Sequence, residues 1–131
     1  MKVTADTNVL LRTLVDDDPA QTARAVALLE TAELVAVSLQ TLCELAWVLR
    51  GRYGVSRADI AAALRALLAT GNIVTHRPAA EAGLALLEAG GDFADGVIAH
   101  DGAWLGAQTF VSFDKKAVSL LTKQGRDARL L

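Results

Sequence analysis

The alternation of apolar and polar positions divides the chain into short apolar runs and longer segments with helical spacing. Residues 3–5, Val3-Thr4-Ala5, predict a short strand, and Thr7-Asn8 offers capping groups for a helix over 9–15. Asp18 followed by Pro19 predicts the start of a helix over 20–32, in which Ala25, Leu28 and Leu29 keep helical spacing. A strand over 34–37 follows. A helix then runs from near Ser38 to about Tyr53, where Gly54 stops it, and Ser56-Arg57-Ala58-Asp59 opens the next by a capping pattern that carries it to about Thr70. Further on, the pattern predicts a strand over 73–75, a helix over 78–89, a break at Gly90-Gly91, a helix over 93–105, a strand over 109–113 and a helix over 115–122. The tail over 126–131 carries no assignable pattern.

Strands separated by segments too long for hairpins require crossover connections, so the expected class is α/β, with a mainly parallel sheet covered by helices on both faces. No repeat, low-complexity tract or flexible linker interrupts the 131 residues, and a single domain over 1–131 is expected. In parallel sheets ligands gather beyond the carboxyl ends of the strands. Asp6 and Asp114 stand just past the first and last predicted strands.

Composition narrows the possibilities. An apolar fraction of 53% with 21% charged residues excludes a disordered chain, and no apolar run is long enough to span a membrane. The N-terminus reaches Asp6 before an apolar leader can form, so a cytoplasmic protein is expected. A lone Cys43 permits no internal disulfide and is expected to be a small buried hydrophobe. The formal charge of −2 argues against a strongly basic nucleic-acid binder. If Asp6, Glu44, Asp92, Asp95 and Asp114 surround cations, however, ten remaining acids face thirteen Lys and Arg, a surplus of about three positive charges.

Each of those acids has an ordinary reading beside a chemical one. Asp6 suits a helix N-cap, Asp92 and Asp95 suit the positive end of the helix they begin, and Asp114 suits a cap for the last helix. Glu44 is flanked by Leu42, Cys43, Leu45, Ala46, Trp47, Val48 and Leu49, which predicts a buried carboxylate in need of a cation, either a basic side chain or a metal. Several converging carboxylates repel one another, and hard divalent ions such as Mg²⁺ and Mn²⁺ resolve that repulsion with oxygen ligands. Other chemistry is poorly represented. There is no glycine-rich phosphate loop, His76 and His100 lack metal-ligand spacing, and Trp47 and Trp104 are expected in the core. Arg12, Arg50, Arg52, Lys115 and Lys116 are candidate phosphate contacts with surface solvation as the default.

With these positions in view, the chain resembles the PIN-domain nucleases, and most closely the VapC-type toxins of bacterial toxin–antitoxin pairs. The resemblance rests on Asp6-Thr7-Asn8-Val9-Leu10, on Glu44 within Thr41-Leu42-Cys43-Glu44-Leu45, on Asp92-Phe93-Ala94-Asp95-Gly96-Val97-Ile98-Ala99, and on Ser112-Phe113-Asp114. It implies a three-layer sandwich and a principal acidic set of Asp6, Glu44 and Asp95, with Asp114 as a fourth member, Asp92 accessory as a metal ligand, and Asn8 and Ser112 in support. It also implies Mg²⁺- or Mn²⁺-dependent hydrolysis of RNA, often transfer RNA, a homodimer, and neutralisation by a small antitoxin. Gly96 and Phe113 depart from the usual pattern, which has Ala at the first position and often a polar or basic residue at the second. The competing readings are a non-catalytic PIN-like module that binds RNA or protein and a related metal-dependent DNA nuclease.

Overall fold

In a computed structural model describing residues 1–131, seven helices alternate with five short strands, and the chain falls into two compact units, Met1–His76 and Arg77–Leu131. The first unit runs β1 (Lys2–Thr4), α1 (Thr7–Leu14), α2 (Pro19–Thr31), β2 (Leu34–Ala36), α3 (Leu39–Gly51), α4 (Arg57–Leu68) and β3 (Ile73–Val74). Its strands pair in the order β1-β2-β3, all parallel, with Val3 opposite Val35 and Val35 opposite Ile73. Parallel neighbours need crossovers, which the pairs α1–α2 and α3–α4 supply.

Helix starts in this unit follow local chemistry closely. Asp6, Asp18, Ser38 and Ser56 each accept a hydrogen bond from a backbone N–H of the helix they precede, and Pro19 occupies the first turn of α2. Gly54, at φ 62°, provides the left-handed turn after α3 that a residue with a Cβ adopts only at a cost. The Asn72 side chain donates to the carbonyl oxygens of Leu29 (2.8 Å) and Ala32 (2.9 Å), closing the end of α2 against the turn before β3. Leu10, Leu42, Leu45, Ile60 and Leu64 are fully buried and form the apolar interior.

The second unit runs α5 (Arg77–Glu88), α6 (Phe93–Trp104), β4 (Phe110–Ser112), α7 (Lys115–Lys123) and β5 (Ala128–Leu130). The tail is a strand: β5 pairs parallel with β4, Val111 opposite Arg129. The parallel pairing agrees with expectation, but the ladders form two sheets, of three strands and of two. Leu86, Ala99 and Leu121 form a buried cluster against which Phe110, Leu120 and Ala128 pack, so the apolar faces of α5, α6 and α7 hold the two-stranded sheet.

The α5–α6 contact depends on two glycines. A Cβ at Gly83 would meet the Phe93 ring at 2.6 Å, and one at Gly96 would run into the Ala82 carbonyl oxygen and lie 2.8 Å from the Gly83 Cα. Gly96 therefore lets the start of α6 approach the α5 backbone. The departure from the usual Ala at this position is thus a packing requirement beside Asp95. No helix is long and apolar enough to cross a membrane.

Candidate functional site

In the second unit, Asp92 is the residue before α6, Asp95 lies in its first turn, and Asp114 precedes α7 just after β4. One carboxylate oxygen from each lies within 4.8 Å of the others. Asp92 occupies the N-cap position yet makes no capping hydrogen bond. Its side chain contributes instead to the acidic cluster. Asp95 is half-buried, and its carboxyl is raised above the ordinary carboxylate value by burial first, then by the charges of Asp92 and Asp114.

Asp114 is held more firmly. Its Oδ1 accepts from the Lys116 (2.9 Å) and Ala117 (3.1 Å) N–H groups, while its own N–H donates to the Ser112 Oγ at 2.9 Å. Ser112 thus fixes the turn that delivers Asp114, and the capping and cluster roles coincide in one residue. The donor set suits a hard cation: three carboxylates, no thiol or imidazole, and mutual repulsion that a divalent ion would relieve.

The first unit holds the other two sequence-predicted acids. Asp6 caps α1, its Oδ1 accepting from the Val9 N–H at 3.0 Å, and Glu44 accepts from the Thr7 hydroxyl at 2.7 Å. Thr7 therefore ties the residue beside Asp6 to α3. Glu44 is exposed, which corrects the expectation of a buried carboxylate. Only one stripe of α3 is covered, that of Leu42, Leu45, Ala46 and Leu49; Glu44 and Trp47, three apart, share the solvent face, and Trp47 is 76% exposed. Trp104, at the end of α6, is 85% exposed and likewise lies outside the core, while Cys43 is half-buried.

Asn8 is exposed and lines a cavity with Asp6 between α1 and α2. The same cavity holds Arg12, which is joined to Asp17 by an ion pair and whose Nε donates to the Gln21 Oε1 at 2.9 Å. The Tyr53 hydroxyl donates to the Asp17 Oδ2 at 2.7 Å. Sequence reasoning missed Asp17, Gln21, Arg24 and Tyr53 in this neighbourhood. The run Asp16-Asp17-Asp18 was the available signal, since Asp18 alone suffices as a cap.

The family model of the PIN domain matches residues 3–120. The chain belongs to the PIN-domain family. PIN domains are generally nucleases that use divalent metals, and the α/β fold with parallel strands agrees with that membership. The match extends over both units and includes every acid discussed above. No curated protein matches the chain significantly.

Proposed function

We propose that this PIN-domain protein is a divalent-metal-dependent endoribonuclease, the toxin of a toxin–antitoxin pair. One observation carries the nuclease reading: Asp92 forgoes its helix cap while Asp95, half-buried, and Asp114 bring their carboxylate oxygens within 4.8 Å of it and of each other. Such crowding is unfavourable for the chain alone and becomes favourable when a cation is held. Asp92, Asp95 and Asp114 would hold Mg²⁺ or Mn²⁺. The chemistry that such an ion supplies is charge neutralisation at a phosphodiester and activation of water for in-line attack.

The chain's own contribution is positioning. Amide N–H groups of α7 and the Ser112 turn orient Asp114, and the close contact of Gly96 with α5 sets Asp95. Asp6 and Glu44 are proposed as further catalytic acids on the grounds of the resemblance, with Asn8 in support. Hydrolysis of RNA by the purified protein with Mg²⁺ or Mn²⁺, stopped by EDTA, tests the reading; cleavage that persists in excess EDTA would overturn it. Competition between single-stranded DNA and RNA then decides the substrate class.

The toxin role, the cytoplasmic location and the homodimer are parts of the same proposal. Trp104 and Leu105, adjacent at the end of α6, are 85% and 83% exposed, apolar surface that a second copy of the chain would cover. Light scattering at micromolar concentration should give a dimer, and strong induction without an antitoxin should arrest growth. A monomer, or unaffected growth, rejects the corresponding part.

A further inference from the structure

We propose that the cavity between α1 and α2 binds the phosphate backbone of the RNA strand, with Arg24 and Arg12 as its contacts and Tyr53 as the residue that keeps Arg12 in place. This rests on the nuclease reading. The cavity is about 440 Å³ and shares Asp6, a proposed catalytic acid, with Asn8 and Arg12 on one wall and Gln21 and Arg24 on the other. Asn8 and Arg12 are four residues apart on α1, and Gln21 and Arg24 three apart on α2, so each pair projects from one helix face into the same space.

The two arginines are prepared differently. Arg12 is braced: Gln21 takes its Nε–H, Asp17 takes an Nη1–H, and the Tyr53 hydroxyl holds the far oxygen of Asp17. That network draws on α1, the loop before α2, α2 itself and the turn after α3. A guanidinium has five donors, so Arg12 retains donors for an incoming anion after these bonds are made, and its side-chain freedom has already been lost. Arg24 is exposed and makes no ion pair or hydrogen bond, so its donors are open to an incoming anion.

Four residues of helix put Arg12 about 6 Å along the axis from Asn8. A strand with one phosphate at Asn8 therefore carries the next towards the braced guanidinium. The planar fork of Arg suits phosphate oxygens, and a nuclease's substrate strand presents one phosphate per nucleotide, so two arginines on facing helices are matched to a nucleic-acid backbone.

The test measures binding of a short 5′-fluorescein-labelled RNA to the full-length protein in EDTA, by anisotropy across a salt series, and steady-state cleavage with Mg²⁺. Arg24→Gln should weaken RNA binding about five- to tenfold at low salt and flatten the slope of log K against log salt by about 0.7, the share of one phosphate on a single strand. Tyr53→Phe changes no charge, so it should raise KM about two- to threefold while kcat and the salt slope stay as in the wild type. Arg12→Lys, which keeps the charge but not the fork, should fall between wild type and Arg12→Gln. Normal cleavage with unchanged KM and salt slope in both Arg24→Gln and Arg12→Gln overturns this inference and leaves the nuclease reading intact. Arg24-dependent RNA binding by a wild-type protein that cleaves nothing supports the pocket and overturns the nuclease reading. Hexaglutamate that binds more tightly than the RNA, with RNA binding indifferent to Arg24→Gln, would make the cavity a protein-docking site and overturn the proposal.

Discussion

Around α1, acids have partners: Asp6 is satisfied by the Val9 N–H, Glu44 by the Thr7 hydroxyl, and Asp17 by Arg12 and Tyr53. At the start of α6 acids crowd one another instead: Asp92 makes no side-chain cap, and Asp95 is pushed above its ordinary carboxyl value by burial and by the charges of Asp92 and Asp114. Both regions place aspartate at a helix N-terminus, where the helix dipole favours negative charge. The difference teaches that a favourable local setting does not make a carboxylate comfortable; its neighbours decide. The first region is stabilised by its charges as it stands. The second brings like charges together.

The largest expected effect is on catalysis. Asp95→Asn should lower cleavage by more than about 100-fold, because even an outer partner of a metal ligand is worth about 10–100-fold in affinity or activity. Asp6→Asn and Glu44→Gln are expected to abolish activity with the fold intact, since both amides keep the acceptor oxygen that the Val9 N–H or the Thr7 hydroxyl uses. Undiminished turnover in single-turnover assays of any of these variants removes that residue from the catalytic set. Gly96→Ala comes next. The added methyl meets the α5 backbone, so a loss of about 1–3 kcal/mol in urea unfolding is expected, together with reduced cleavage as Asp95 shifts. A fully stable, fully active variant would show that the glycine contact does not set the site.

Smaller effects sharpen the comparison itself. Asp92→Asn should reduce cleavage about tenfold, in keeping with an accessory ligand; a loss equal to that of Asp95→Asn would make it a principal one. For stability the two regions should respond with opposite sign. Asp6→Ala loses a satisfied cap and should cost about 1 kcal/mol, whereas Asp95→Asn should raise the Tm of the metal-free protein by about 1–3 °C. The folded chain holds the Asp95 proton more tightly than the unfolded chain, so metal-free stability should fall as pH rises from the ordinary carboxyl value of 3.8 through the raised folded value. Thermal melts in EDTA across that interval check the sign, and Asp95→Asn should flatten the dependence. A decrease in Tm for Asp95→Asn would place the repulsion elsewhere.

Much of this was legible along the chain because its causes are local. Caps at Asp18, Ser38 and Ser56, the proline of α2 and the glycine after α3 act within a few residues, so helix starts were predictable and the parallel class followed from the lengths between strands. The acids were legible as types at strand ends and helix starts. Tertiary structure decided what each one meets. Glu44 looked buried because its sequence neighbours are apolar, but a helix covers one stripe, and packing chose Leu42, Leu45 and Leu49 for the interior. The tail became a strand only through its partner β4, since three residues carry too little pattern to declare a strand alone. Gly96 became essential only against Ala82, and Arg12 became a braced cation only when Tyr53, far along the chain, reached Asp17. Local sequence sets backbone geometry through short-range hydrogen bonds and sterics, whereas burial, repulsion and bracing depend on which distant residues are brought together.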